Sequence, residues 1–352
     1  MRSEKKLVLA GLLLDELKEL LTVNSVSKEF PSYRAKQIYE WICRGALSFE
    51  EMSNLPIALR KELAEKYHLI AGEPITELVD PDGTLKLALR LDDGFVIESV
   101  ILADGEGRKT ACLSSQAGCP MGCVFCKTGT LGFYRNLSAR EITGQFLQLK
   151  KRAPNISHIV VMGMGEPLLN PEELRKALLF FTEEEGLNIS KRRITLSTCG
   201  IKNGILELAE QGPDVRLALS LTTAREGLRE RLMPSVTDSL ASLKKVLLVY
   251  NKKHRITLEM VLLGGINTTT ADADAAADFS RGLDVMINLI HWNPVEGLQF
   301  DGLPLKPPSS REIADFARAL ESRGLKVTVR MGKGCSIGGA CGQLGSKVNE
   351  SK

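Results

Sequence analysis

The chain has 352 residues, 43% of them hydrophobic and 25% charged, with a formal net charge of +3. That length suits one large domain plus an accessory one, and the composition excludes disordered, collagen-like and coiled-coil chains. No run approaches the roughly 18 apolar residues a membrane span needs, and so weak a charge neither demands nor forbids a nucleic-acid partner.

The first stretch, MRSEKKLVLAGLLLDELKEL, reads as an amphipathic helix. Asp15, Glu16 and Lys18 interrupt its apolar positions and no small-residue cleavage site follows, so it is not read as a signal peptide. The expected location is cytoplasmic. Residues 1–75 read as short helices forming an accessory domain, with Ile38, Trp41 and Ile42 on one helical face. Residues 76–107 alternate in two runs around Asp92-Asp93-Gly94, which predicts a β-hairpin extension.

Residues 108–330 change to a rhythm of strand, loop and helix. Strands are expected at 158–164, 193–198, 215–221, 255–263, 284–290 and 325–330, apolar at nearly every position as in strands buried on both faces. Helices are expected to open at the capping box Ser138–Glu141, at Asn170-Pro171 and at Ser309 or Ser310. Repeated βα units imply an α/β fold with a parallel sheet, either doubly wound or curled into a full or partial barrel. Residues 331–352 form a Gly-rich polar tail.

Eight cysteines punctuate the chain, and three crowd into Cys119-Pro-Met-Gly-Cys123-Val-Phe-Cys126. Such clustering points to metal or catalytic work before disulfides. A structural zinc site wants a fourth ligand nearby, and no His lies within thirty residues of this loop. A [4Fe–4S] cluster takes four thiolates, so three leave one iron open. A second feature is the Gly-rich turn Met162-Gly163-Met164-Gly165-Glu166-Pro167 after a strand, where backbone can approach a small molecule closely.

The C-x3-C-x2-C loop resembles the signature of radical S-adenosylmethionine (SAM) enzymes. CLSSQAGCPMGCVFCKTG (112–129), VVMGMGEPLLN (160–170), ITLSTCG (194–200), INLIHWNP (287–294) and ACGQL (340–344) look specifically like the RlmN/Cfr family of radical-SAM RNA adenine methyltransferases. The resemblance implies a partial (β/α) barrel core, a small helical N-terminal domain that binds RNA, and a β-hairpin extension. It implies a [4Fe–4S] cluster on Cys119, Cys123 and Cys126, with SAM chelating the open iron and two SAM consumed per turnover. SAM contacts fall on Gly165, Glu166, Ser197, Ser220, Thr222 and Asn293.

The family's chemistry, carried onto these positions, makes Cys341 the residue that is S-methylated and then passes its methyl carbon to adenine. Cys112 then resolves the protein–RNA adduct by forming a disulfide with Cys341, and Glu98 is the proton acceptor. The implied reaction is methylation of adenine C2 in 23S rRNA and in tRNA, 3′ of the anticodon; the alternatives are the same chemistry at C8 of 23S rRNA, or a radical-SAM enzyme with another substrate. The implied electron donor is flavodoxin or ferredoxin, and no membrane partner is expected. Thr222 and Thr223 stand where the family has His-Ala, and Cys335-Ser336 where it has an acidic residue before Ile. The loop from Glu98 to Cys112 is about one residue longer than usual in the family.

Overall fold

The computed structural model describes residues 6–23, 30–105 and 107–345. The start of the N-terminal helix reading and residues 346–352 of the tail lie outside the described residues.

The N-terminal region is helical, with α1 (Leu14–Val23), α2 (Ser32–Arg44) and α3 (Ile57–Lys66). The first helix begins later than expected. Leu7 and Val8 instead pair in parallel with Tyr67 and His68, and the chain then turns at Gly11 with φ +94°. In α2, Ala35, Ile38 and Ile42 recur at spacings of three and four and are buried together, the stripe an amphipathic helix presents to a core. Trp41 is only partly buried at the edge of that stripe. The helix stops at Gly45, whose φ of +90° lets its N–H bond back to the Ile42 carbonyl.

Ten strands then form one sheet whose spatial order is the chain order. They are β1 (Glu73–Val79), β2 (Leu85–Arg90), β3 (Val96–Ala103), β4 (Lys109–Cys112), β5 (Ile156–Val161), β6 (Ile194–Thr198), β7 (Arg216–Ser220), β8 (Ile256–Leu262), β9 (Val285–His291) and β10 (Val327–Arg330). The expected hairpin is β2–β3, turning at Asp92-Asp93-Gly94. It has a third strand, β1, nearly all exposed and carrying Pro74. An edge strand of that kind shows no alternation to read. The extension is continuous with the core, since Val100 of β3 pairs with Cys112 of β4.

From β4 to β10 every neighbour is parallel. The crossovers carry α4 (Ala139–Arg152), α5 (Pro171–Thr182), α6 (Lys202–Gln211), α7 (Glu226–Leu232) with α8 (Leu240–Asn251), α9 (Thr270–Ser280) and α10 (Ser310–Glu321). The order never reverses. Right-handed crossovers therefore lay all these helices on one face, whereas a doubly wound sheet needs a reversal. The other face curls on itself, because Leu102 and Thr110 from one end of the sheet line a single cavity with Ile290 and Val329 from the other. The core is a partial barrel with an open seam between β3/β4 and β9/β10.

The capping box read at Ser138/Glu141 forms, and the helix expected to open at Ser309 or Ser310 also opens with one, at Ser309/Glu312. Asn170 does precede Pro171 at the start of α5, but its side chain does not cap the helix. Its amide instead donates to the Ser115 and Leu137 carbonyls, at 3.0 and 2.7 Å, bracing the segment that leads into the cysteine loop. One hydrophobic core runs from Leu17 and Ile38 through Phe146 and Phe181 to the strand interiors. Among the described residues no helix is long and apolar enough to cross a membrane.

Candidate active site

The cysteine loop follows β4 and a short strand, Gln116–Gly118, that pairs antiparallel with Phe133–Asn136. Gly118 has φ +74°, and a Cβ there would lie 2.0 Å from the Gly132 carbonyl oxygen, so only glycine lets the loop close. Trp292 donates its indole N–H to the Phe125 carbonyl at 2.8 Å, and Val124 donates to the Leu232 carbonyl at 3.0 Å. A satellite cluster of Met121, Phe125, Leu232, Met233 and Trp292 packs around the loop. The loop is therefore fixed on both sides rather than hanging in solvent.

Cys119, Cys123 and Cys126 all line the main cavity, which encloses about 970 Å³ including its mouth. Burial pushes the Cys119 thiol up to about 12, raises Cys126, and drives Cys123 well above the ordinary range, with repulsion from its two neighbours added. Bare thiols in this setting are neutral; a bound cationic centre is what would hold them as thiolates. Among the described residues no three His, Cys, Asp or Glu side chains converge on one ion. A cluster asks less, since each thiolate need reach only its own iron.

The opposite wall comes from the strand ends. Gly165, Glu166, Ser197, Ser220 and Thr222 line the same cavity. Gly165 has φ +104°, and a Cβ would lie 2.6 Å from Cβ of Gln116. The Glu166 carboxylate is buried and already engaged, accepting the Leu168 N–H at 3.0 Å and the Cys199 N–H at 2.8 Å. Burial nonetheless raises its pKa against those bonds. The Ser197 hydroxyl lies 3.1 Å from that of Ser220. Thr222 sits at φ +60°, fully buried, and its hydroxyl has no partner. An orphaned donor lining a cavity is a place for a polar ligand group.

Cys341 lines this cavity and a second one, of about 1080 Å³, at the seam of the barrel. The residue is exposed, yet its sulfur faces inward, and burial raises the thiol while Arg330 pulls it down. Cys112 lines neither cavity. It lies buried on β4, its thiol pushed up to about 12 by burial and then by the charge of Cys341. Glu98 is also away from the main cavity, 2% exposed, accepting the Gly345 N–H at 2.6 Å and ion-paired with Lys86 at 3.1 Å. Asn293 faces the seam cavity, and its amide serves the tail: it donates to the Cys341 carbonyl at 3.1 Å and accepts from the Cys335 thiol at 3.2 Å.

The sequence reading missed three charged residues here. Glu259 of β8 lines the main cavity, buried, with Ser197 donating to it at 3.0 Å and Arg330 3.8 Å away. Burial raises its pKa, with Arg330 opposing. It is the lone acid in the apolar run ITLEMVLL, a signal that could have been read. Arg229 is buried beneath the loop, donating to the Cys199 and Leu221 carbonyls at 2.6 and 3.2 Å. Nothing in its helical run distinguishes it, and the same holds for Arg330 at the end of β10.

Residues 113–275 match the model of the radical SAM superfamily, and residues 9–69 match that of the ribosomal RNA large subunit methyltransferase N-terminal domain. A probable dual-specificity RNA methyltransferase RlmN from Treponema denticola is 48% identical over 98% of this chain and 97% of its own length. The dual-specificity RNA methyltransferase RlmN of Lawsonia intracellularis is 42% identical, covering 93% of each chain. The crystal structure of a radical SAM methyltransferase from Sphaerobacter thermophilus superposes with a TM-score of 0.88 at 37% identity, over 96% of this chain and 99% of that one. Radical-SAM membership implies SAM and a [4Fe–4S] cluster, and the cavity has three inward thiols for the one and an unpartnered hydroxyl among polar strand ends for the other. On sequence over nearly its whole length and on fold, the chain belongs to the RlmN family of radical-SAM methyltransferases.

Proposed function

We propose that this protein methylates C2 of adenine in RNA, carrying the methyl group on Cys341 and resolving the adduct with Cys112. The targets are an adenine of 23S rRNA in the peptidyl-transferase region and the adenine 3′ of the anticodon in tRNAs, in the cytoplasm. The names of the relatives and the match to a ribosomal RNA methyltransferase N-terminal domain support an RNA substrate. The observation that carries the chemistry is the place of Cys341, a thiol on a glycine-rich tail that faces the three-cysteine cavity on one side and the open seam on the other.

Adenine C2 is electron-poor and has no lone pair, so it cannot attack a methyl donor; a thiolate can. The cluster and SAM, when bound, supply an electron, a radical and a methyl group, at two SAM per turnover, with flavodoxin or ferredoxin as electron source. Cys341 accepts the methyl group on sulfur, and Arg330 is the cation placed to favour its thiolate over the effect of burial. The target base must leave its stack to reach the seam, at a cost of a few kcal/mol. Once the methyl carbon, having given up a hydrogen atom to the SAM-derived radical, is bonded to C2, the adduct would return one electron to the cluster and Glu98 takes the C2 proton, which restores the ring. Cys112 then attacks the Cys341 sulfur; the S–S bond forms as the C–S bond breaks, and that bond's electron pair leaves with the base, whose methylene carbon takes up a proton to become the methyl group. Cellular thiols reopen the disulfide. In the structure the Glu98 carboxylate is held by Gly345 and Lys86, so the tail must release it before the proton moves.

The test is anaerobic incubation of the cluster-loaded protein with SAM, a reductant, and 23S rRNA fragments or tRNA, followed by nucleoside mass spectrometry. The expected product is 2-methyladenosine in both RNAs. 8-Methyladenosine would overturn the regiochemistry, and no methylated adenosine in either RNA would overturn the reading.

A further inference from the structure

The cysteine-bearing tail does not lie free across the cavity. Gly334 donates its N–H to Asp82 at 2.9 Å, and Ser336 donates both its N–H and its hydroxyl to Asp80, at 3.1 and 2.6 Å. Both acids stand in the turn between β1 and β2. Each spends its other oxygen on the turn itself: Asp80 accepts the Asp82 N–H at 3.0 Å, and Asp82 accepts the Thr84 N–H at 2.8 Å. The carboxylates are thus held in place before they meet the tail, and bonds to an ionised acceptor are the stronger kind. Burial works against the Asp82 charge, yet the N–H groups of Gly334 and Thr84 keep its carboxyl below the ordinary range.

Lys86, two residues into β2, reaches further along the tail. Its ammonium donates to the Gly338 carbonyl at 3.3 Å and pairs with Glu98 at 3.1 Å. Glu98 accepts the Gly345 N–H. The tail is therefore gripped on both sides of Cys341 by one antiparallel extension, before it at Gly334–Gly338 and after it at Gly345. A segment with glycines at 338, 339 and 342 has more backbone freedom to lose than any other kind, so its position needs such external contacts. The serine at 336 suits this arrangement, because an acid there would face Asp80 and Asp82.

We propose that Asp80, Asp82 and Lys86 form a clasp that positions the Cys341 tail over the cavity, with Lys86 linking the tail to Glu98. They are positioning residues: Asp80 and Asp82 touch only the tail and their own turn, and Lys86 acts through the Glu98 carboxylate it pairs with. The clasp fixes the base of the tail at 334–338, while the stretch from Gly339 to Gly345 carries Cys341 between the two cavities. The extension, which adds nothing to the cysteine loop itself, thereby acquires a role in the reaction. The functional part of this inference rests on Cys341 as methyl carrier; the anchoring part does not.

The test uses the cluster-loaded full chain carrying Asp80→Ala with Asp82→Ala, or Lys86→Met, beside Asp82→Asn and Lys86→Arg as conservative controls. Hydrogen exchange is followed on peptides from 333–345 and from the core strands. The expected result is at least tenfold faster exchange in the tail with core exchange and cluster absorbance unchanged. With it, kcat for RNA methylation falls about tenfold at unchanged KM, and the conservative variants recover part of the loss. Unchanged tail exchange in the double variant would overturn the proposal, as would loosening of tail and core together. If the tail loosens as expected but Cys341→Ala still methylates RNA, the anchoring stands and the carrier reading fails.

Discussion

At Gly165 the chain has no room for a side chain: φ is +104° and a Cβ would collide with Gln116. That side chain in turn accepts the Glu166 N–H at 2.8 Å. Gly165→Ala is expected to cost about 1–3 kcal/mol in backbone strain and to displace the turn that walls the cavity. Isothermal titration with SAM should show affinity lost by more than tenfold; unchanged affinity would separate the turn from SAM binding. Cys112 gives a second residue-scale expectation. Its thiol titrates at about 12 in the fold against 9.0 unperturbed. The buried neutral form therefore contributes stability that is complete below pH 9 and is lost as pH rises toward 12. Alkylation of Cys112, followed by mass spectrometry, should stay slow at pH 7 and climb with pH without a plateau below 11. The three clustered cysteines stood out in the sequence because their close, fixed spacing is what thiols sharing a metal centre would need. Asp80, Asp82 and Lys86 were not, because their partners lie some 250 residues away and only the fold brings them together.

The parallel elements were legible because strands buried on both faces read as unbroken apolar runs. The observed strands match the expected ranges to within three residues at each end; β5 begins at Ile156, before its expected start, and stops at Val161 because the glycine turn takes over at Met162, while β9 runs on to His291. β1 was missed because its exposed edge position leaves no alternation to see. Helix starts were read from caps, and α4 shows what one is worth: Ser138 accepts the Glu141 N–H at 3.3 Å while Glu141 accepts the Ser138 N–H at 2.8 Å. Ser138→Ala should lower stability by about 1 kcal/mol. Urea denaturation should register that loss with the same m-value, and methyl transfer should be unaffected because the cap lies outside both cavities.

On the scale of the whole molecule, the N-terminal helices and the barrel share one core. Phe181 packs its ring 5.2 Å from Phe146 of α4 and 6.2 Å from Phe180, which meets Tyr39 of α2 edge-on at 6.0 Å. The Tyr39 hydroxyl donates to Glu183, just past α5. Phe181→Ala is expected to cost about 3–5 kcal/mol. The loss should appear in one cooperative transition, with helical and cluster signals lost together. Two separate transitions would mean that the N-terminal region folds independently. The curl of the sheet was not legible from pattern, since doubly wound and barrel sheets share the same βα rhythm. The strand order decides it, and the curl is what brings the seam, the tail and the cysteine loop to one place.

The most direct test of Cys341 as the carrier follows the methyl group itself. The cluster-loaded protein is incubated with reductant and SAM labelled on its methyl group, digested, and its peptides weighed; unlabelled SAM and RNA are then added and the nucleosides weighed. The account predicts label on Cys341 alone of the eight cysteines, then its appearance in 2-methyladenosine in the first turnover. Cys341→Ala should show neither, and Cys112→Ala should trap the RNA on the protein. Label passing to adenine with Cys341 never labelled, or with Cys341 replaced, would contradict it.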